Sequence, residues 1–199
     1  MLAPVLLASC SGGSTPTTDP DVAASAPVPG LTLPPDTLAT LVSQPDEVPA
    51  GMVPLAAGSG ARDLAVVAGY SGTGAAEKAA EAKLKAHGFV KAYVAQYASE
   101  STGQVLSILV SEFATAAGAT ADLADDLKAA QGKSVSAATL GEQSAVTQQD
   151  IPGSIASQLV IARFRRGVDT WSLAYKAGPT ADPQVAIGLA TKLLSRTAT

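Results

Sequence analysis

The stretch Gln158-Leu-Val-Ile-Ala-Arg-Phe-Arg-Arg-Gly-Val-Asp-Thr-Trp-Ser-Leu-Ala-Tyr-Lys-Ala177 decides the fold of this chain, because it predicts a β-hairpin. Two runs rich in branched and aromatic residues, 158–166 and 168–177, are separated by a turn at Arg166-Gly167. In the second run small or polar residues alternate with three large apolar ones, Trp171, Leu173 and Tyr175. This alternation predicts a strand with one heavy apolar face that meets the core.

A second hairpin and three helices are predicted around the first. Residues 90–99 and 104–113 are strand patterns joined by a link so short that it forces an antiparallel pair. Helices are predicted at 75–87, at 116–131 and from Asp182 to about residue 196, where apolar residues recur with helical spacing. We therefore predict an α+β fold, a mainly antiparallel sheet with two or three helices packed on it.

The remaining segments have weaker patterns. Residues 36–43 predict a short helix, residues 52–55, 64–70 and 134–138 predict strands, and the polar residues 141–153 predict a loop. The resulting order is roughly β-α-β-β-α-β-β-β-α. In this order the chain resembles the α/β sandwich that the PsbP proteins of plant photosystems share with some mycobacterial envelope lipoproteins.

Leu7-Ala8-Ser9-Cys10 resembles the lipobox of bacterial lipoproteins, in which a branched apolar residue and two small ones precede a cysteine. The resemblance implies that Cys10 carries a diacylglyceryl group and that the chain is cut just before it. Residues 1–9 supply the apolar and small parts of a signal peptide but no Lys or Arg, so we expect the leader to begin upstream or to have been shortened. Two acyl chains are enough for stable membrane anchoring.

Three parts of the chain follow from these patterns. Residues 1–9 are interpreted as the remnant of a signal peptide, residues 10–35 as a lipid-anchored flexible tether, and residues 36–199 as a single α+β domain. The tether prediction rests on Ser, Thr, Pro and Gly, with little apolar bulk to offset the entropy of ordering. Thr15, Thr17 and Thr18 beside Pro16 are either O-glycosylation sites or plain linker.

Composition limits the possible functions. The net charge of −4 argues against nucleic acid as a partner, since nucleic-acid binding requires a basic face. A single cysteine forms no internal disulfide, and the absence of asparagine excludes N-linked glycosylation. No apolar run reaches the length of about 18 residues that a transmembrane helix needs.

A glycine-rich stretch, residues 64–77, invites a dinucleotide-binding interpretation. Gly72 and Gly74 would be the first two glycines of that fingerprint. The third glycine position is Glu77, whose charge would lie where the pyrophosphate approaches. A glycine turn that leads into a helix is the simpler interpretation.

The chain offers little else for catalysis or metal binding. Residues 69–74 miss the G-x-S-x-G pattern because Thr73 replaces the last glycine. The single histidine, His87, fits the end of a helix, where the helix dipole favours cations. One histidine and one cysteine provide no zinc cluster, and three acids on a predicted helix lack calcium-loop spacing: Asp122, Asp125 and Asp126. We therefore predict no catalytic residue, no cofactor and no metal.

Four basic residues gather around the hairpin quoted first: Arg163, Arg165, Arg166 and Lys176. They form either a contact patch for an anionic lipid headgroup or wall polymer, or a solvated edge hairpin that its charges protect from aggregation. Strand periodicity places Arg163 and Arg165 on the same face.

The sequence predicts a cell-envelope lipoprotein on the outer face of the membrane, with a domain that binds or scaffolds and does not catalyse. Its expected partners are the membrane, through Cys10, and an envelope protein or a lipid. Two alternatives stay open, an exported hydrolase and a carrier of an apolar small molecule or lipid. The carrier hypothesis rests on small side chains predicted to face the sheet from two helices: Ala76, Ala80 and Leu84, then Ala119, Leu123 and Leu127.

Overall fold

Two long hairpins form the centre of the fold in the computed structural model, which describes residues 37–153 and 156–196. These residues contain eight strands, four α-helices and two 3-10 helices. The elements are a 3-10 helix (Thr37–Leu41), β1 (Val53–Pro54), a second 3-10 helix (Ala56–Gly58), β2 (Gly60–Arg62), α1 (Leu64–Gly69), α2 (Ala75–Ala86), β3 (Phe89–Ala98), β4 (Val105–Phe113), α3 (Ala116–Ala129), β5 (Lys133–Val135), β6 (Gln143–Ile151), β7 (Ser157–Arg166), β8 (Asp169–Ala177) and α4 (Pro183–Arg196).

All eight strands belong to one antiparallel sheet. Its order is β1-β3-β4-β8-β7-β6-β5, and β2 pairs with β3 beside β1. The two predicted hairpins, β3/β4 and β7/β8, meet where β4 pairs with β8, with Ile108 opposite Leu173. The prediction of a mainly antiparallel α+β fold is therefore confirmed. Among the described helices none is long and apolar enough to cross a membrane.

One face of the sheet carries the main core, and we call it the α4 face. Strand alternation places Trp171, Leu173 and Tyr175 here, and all three are buried, as the sequence predicted. The indole of Trp171 is 1% exposed and stacks on Phe164 with the ring centroids 5.2 Å apart. Helix α4 covers these strands with four buried side chains: Ala186, Leu189, Ala190 and Leu193.

The 3-10 helix at Thr37–Leu41 also packs on the α4 face. Leu38 is buried in the core cluster, and the Trp171 Nε1–H donates to the carbonyl of Leu41 at 3.0 Å. From the end of α4, Arg196 donates to the carbonyls of Thr40 and Val42 and pairs with the Glu47 carboxylate. Beginning and end of the described chain are thus joined by side chains.

The opposite face, which we call the α3 face, is covered less completely. Helix α3 lies across β4, β8 and β7 and buries Ala119 and Leu123. Helix α2 has no buried residue. The predicted inward positions of α2, Ala76, Ala80 and Leu84, are only half-buried.

Two segments differ from the prediction. Residues 64–70, predicted as a strand, contain helix α1, which begins where the Asp63 side chain accepts a hydrogen bond from the Val66 amide at 2.9 Å. Such a short apolar run does not distinguish a helix from a strand by periodicity. Residues 141–153, predicted as a loop, contain strand β6, which pairs with β7 along its whole length. Val146 is its one buried residue, so the polar sequence concealed the strand.

The other short segments keep their predicted type with shorter bounds. The helix predicted at 36–43 is the 3-10 helix Thr37–Leu41, and the strands predicted at 52–55 and 134–138 are β1 and β5. Residue 36, like the rest of the N-terminal segment, lies outside the described residues.

Candidate functional site

The four basic residues of the hairpin do not form one cluster. Arg163 and Arg165 lie on the α3 face of β7, because their neighbours Ala162 and Phe164 belong to the α4-face core. Arg166 donates from Nη1 to the carbonyl of Leu194, at the end of α4, at 3.0 Å. Lys176 lies on β8, four residues beyond Ser172, which is the cross-strand partner of Arg163. Four residues correspond to about 13 Å along the strand.

Arg165 is held by the turn of its own hairpin. Its Nη1 donates to Glu142 Oε2 at 2.5 Å, and the other oxygen of Glu142 accepts from the Gly167 amide at 2.9 Å. The hydrogen bond from Gly167 and the charge of Arg165 lower the pKa of the Glu142 carboxyl. The Arg165 Nε–H is buried and has no hydrogen-bond partner within the described residues. Arg165 therefore has a structural role and one unused donor.

Arg163 is different, because its guanidinium has no hydrogen bond or ion pair with any described residue. It lies between Ala145 on β6 and Ser172 on β8, and its side chain is half-buried. Burial lowers the pKa of Arg163, and the negative charge of Asp126 on α3 raises it. Asp126 attracts Arg163 without forming an ion pair within 4.0 Å. A partly dehydrated cation without a direct partner is energetically costly.

Thr147 is a third polar residue on this part of the α3 face. It lies on β6, opposite Ile161 and diagonal to Arg163. Its Oγ1 is buried without a hydrogen-bond partner within the described residues. Two of the four orphaned buried side-chain atoms found there, Thr147 Oγ1 and Arg165 Nε, therefore flank Arg163.

His87 lies at the junction of α2 and α3. Its Nδ1 is 3.6 Å from Asp122 Oδ1, too far for a hydrogen bond, and the two side chains are 18% and 19% exposed. Burial, with the nearby charges of Asp126 and Asp125, raises the pKa of Asp122 to about 7. Asp125 also binds Lys83 of α2, with Oδ2 3.4 Å from Nζ.

This arrangement agrees with a helix-end role for His87 and refines the interpretation of the acids. Asp126 is exposed, as a solvated helix face predicts, whereas Asp122 turns toward His87. The pairing of His87 with Asp122 has no signal in the sequence, since it joins two helices whose packing is not local. No group of three or more potential metal ligands occurs within residues 37–153 and 156–196.

The glycine turn at residues 71–74 follows helix α1 and precedes helix α2. A dinucleotide site needs a strand before its glycine turn, so Gly72 and Gly74 do not form one here.

An open pocket of about 370 Å³ lies elsewhere, at the β5–β6 edge. Gln148 donates to Gln158 Oε1 at 2.8 Å and to the Ala181 carbonyl at 2.9 Å, and Gln158 donates to Asp150 at 2.9 Å. Gln158 Oε1 also accepts from the Ala181 amide. These side chains are largely occupied in holding the loop before α4, so we place the candidate site around Arg163.

Comparison with known proteins identifies the fold alone. No protein-family model matches the chain, and no curated protein matches it. The chain is similar in structure to the extracellular domain of PknH from Mycobacterium tuberculosis, with a TM-score of 0.50 and 16% sequence identity, over 80% of this chain and 93% of that one. The lipobox residues and Cys10 lie outside the described residues, and the resemblance to PsbP proteins has no counterpart in these comparisons.

Proposed function

We propose that this protein is a lipid-anchored protein of the cell envelope whose domain binds a ligand or partner on its α3 face and does not catalyse a reaction. The lipobox resemblance at Cys10 supports the anchor. The similarity of the fold to an extracellular domain is consistent with export.

One observation carries the binding proposal, the difference between the two faces of the sheet. The α4 face is closed by large apolar side chains, with Trp171 and Phe164 almost fully buried. The α3 face keeps Ser172 and Ala145 half-exposed around a half-buried arginine without a direct partner. A sheet that needed only to face solvent would gain nothing from burying a charge there.

The hydrolase alternative has less support. His87 is placed to pair with Asp122 and its Nδ1 is closed to solvent. The other ring nitrogen, Nε2, would have to serve as the base, and the sequence offers no G-x-S-x-G nucleophile motif to accompany it.

The carrier of an apolar molecule is the stronger alternative, because of helix α2. Ala76, Ala80 and Leu84 lie on one side of α2 and remain half-buried. An acyl chain beneath this helix would bury them further, and apolar burial contributes about 25 cal/mol per Å².

The proposal is tested by native mass spectrometry of the protein purified from its own membrane. Ser172→Trp fills the α3 face beside Arg163, and Ser101→Trp adds the same side chain at an exposed position between β3 and β4. We expect a bound ligand or partner in the wild type and in Ser101→Trp, and its loss in Ser172→Trp. The same bound mass in both variants would place the binding surface elsewhere, and a bare polypeptide in the wild type would contradict binding itself.

A further inference from the structure

Arg163 combines three properties that together indicate a ligand. Arg163 is half-buried, its guanidinium makes no direct bond to any described residue, and its two cross-strand neighbours, Ala145 and Ser172, are small. Guanidinium groups present five N–H donors in a planar fork that matches an oxyanion. An arginine kept only for packing would be expected to direct these donors at a carboxylate or a backbone carbonyl.

The polar atoms around Arg163 add unused donors. Arg165 Nε–H and Thr147 Oγ1 have no partner, and both belong to the same face of β6 and β7. Both atoms are closed to solvent, so a phosphate reaches them only when the side chains that cover them move. A carboxylate has two oxygens, whereas a phosphate group has enough oxygens to accept from both arginines and the threonine.

We propose that the surface around Arg163, flanked by Arg165 and Thr147, binds a phosphate group. This inference rests on the proposed function and specifies the ligand class for the α3 face. The phosphate belongs either to a lipid headgroup or to a small soluble phosphate ester, since the chemistry at Arg163 is the same for both.

Asp126 supplies a test of whether the phosphate binds beside Arg163. Its carboxylate is close enough to affect Arg163 and would repel an incoming phosphate. Asp126→Asn should therefore strengthen phosphate binding about two- to fivefold, because it removes one like charge at partial exposure. Arg163→Gln should weaken binding by about tenfold or more, since it removes a charge-assisted bidentate contact.

The matched control is Lys176, another cation on the same face about 13 Å from Ser172. Lys176→Gln changes the net charge by the same amount as Arg163→Gln. Its position is more than a Debye length from the proposed phosphate site in physiological salt. We expect Lys176→Gln to leave phosphate affinity within about twofold of the wild type. Arg163→Lys keeps the charge and loses the fork, so it should bind more weakly than wild type and more tightly than Arg163→Gln.

The experiment uses the full chain with Cys10→Ala, so that an acyl anchor does not attach it to membranes. Inorganic phosphate and glycerol phosphate are titrated by calorimetry, and amide shifts are followed by NMR. Vesicles of phosphatidylcholine, with and without phosphatidic acid, form the lipid arm. Thermal melts verify that each variant is folded.

We expect shifts at Ala145 and Ser172 and the affinity order Asp126→Asn, wild type, Arg163→Lys, Arg163→Gln. Binding to phosphatidic acid vesicles but not to glycerol phosphate would assign a lipid source, and the reverse a soluble one. Equal losses in Arg163→Gln and Lys176→Gln, or no binding of any phosphate, would overturn the inference. If a ligand is still found by native mass spectrometry in that case, the proposed function stands and only the ligand class is wrong.

Discussion

The indole of Trp171 donates a hydrogen bond to the carbonyl of Leu41, at 3.0 Å and across 130 residues of sequence. This bond joins the centre of the sheet to the 3-10 helix that begins the described chain. The same ring stacks on Phe164, nearly parallel at 7°. Trp171 therefore serves both the packing of the core and the attachment of the N-terminal segment.

Trp171→Ala is expected to lower the free energy of unfolding by about 3–5 kcal/mol, because it leaves a cavity in the core. Trp171→Phe keeps most of the ring and loses the hydrogen bond to Leu41, at a cost of about 1 kcal/mol for the bond. Urea denaturation followed by circular dichroism measures both. Removal of residues 1–35 serves as the contrast and should leave the midpoint unchanged. A wild-type midpoint for Trp171→Ala would contradict the role given to this ring.

Gly118 tests the contact between α2 and α3. A Cβ at Gly118 would overlap the carbonyl oxygen of His87, whereas a Cβ at Gly69, in α1, would meet no atom within 4 Å. Gly118→Ala should cost about 1–3 kcal/mol through overpacking, and Gly69→Ala should be neutral or stabilising by up to about 1 kcal/mol. Thermal melts of both variants decide this, and equal midpoints would mean that α3 shifts freely away from His87.

Stability should fall as the pH rises from about 4 to 8. The folded pKa of Asp122 is raised to about 7 and that of Asp169 to about 6, from the ordinary value of 3.8. Burial is the main cause of both shifts. The negative charges of Asp126 and Asp125 also raise the pKa of Asp122, and the negative charge of Glu112 also raises the pKa of Asp169. Lys83 and Lys91, respectively, oppose the shifts. A group whose pKa is raised in the folded state contributes its full stabilisation at pH values below its unfolded pKa. This contribution is lost as the pH rises through the folded pKa.

Asp122→Asn should therefore flatten this dependence and stabilise the protein at pH 8 by up to about 4 kcal/mol, given about 1.4 kcal/mol per pKa unit. Below pH 4 the variant and the wild type should converge. Denaturation curves across this range provide the measurement. Asp46→Asn, at an exposed position, is the control and should leave the slope unchanged. A wild-type slope in Asp122→Asn would show that Asp122 is ionised throughout.

Cys10→Ala should release the protein from the membrane. The prediction follows from Leu7-Ala8-Ser9-Cys10, since no other cysteine is present to accept an acyl group. Detergent phase partitioning in the native host, with a complete leader, should place the wild type in the detergent phase and the variant in the aqueous phase. Equal partitioning would mean that Cys10 carries no anchor.

The hairpins, α2, α3 and α4 were predictable because each has a local signal. Trp171 alternates with small residues, and Gly88 follows α2 with a φ of 75°. Strand β6 was not predictable from its polar sequence. It is stabilised by its hydrogen-bonded pairing with β7 and not by the burial of apolar side chains. Helix α1 was not predicted because a short apolar run is compatible with either a strand or a helix. The N-cap hydrogen bond that the Asp63 side chain accepts favours the helix.

The candidate site was predictable in part. Strand periodicity places Arg163 and Arg165 on one face, and the structure agrees. Strand periodicity does not show that the Arg166 side chain turns to α4, or that Asp126 of helix α3 lies near Arg163. The first relationship arises from the packing of α4 on one face of the sheet, and the second from the crossing of α3 over the other face. Both depend on long-range packing.

The side-chain bonds that hold the 3-10 helix Thr37–Leu41 to the rest of the domain have a mechanical consequence. A force applied to the chain at Thr37 acts on three side-chain attachments. Lys91 of β3 donates to the Thr37 hydroxyl, Arg196 donates to the carbonyls of Thr40 and Val42, and Trp171 donates to the carbonyl of Leu41. The load is therefore shared among β3, the middle of β8 and the last turn of α4.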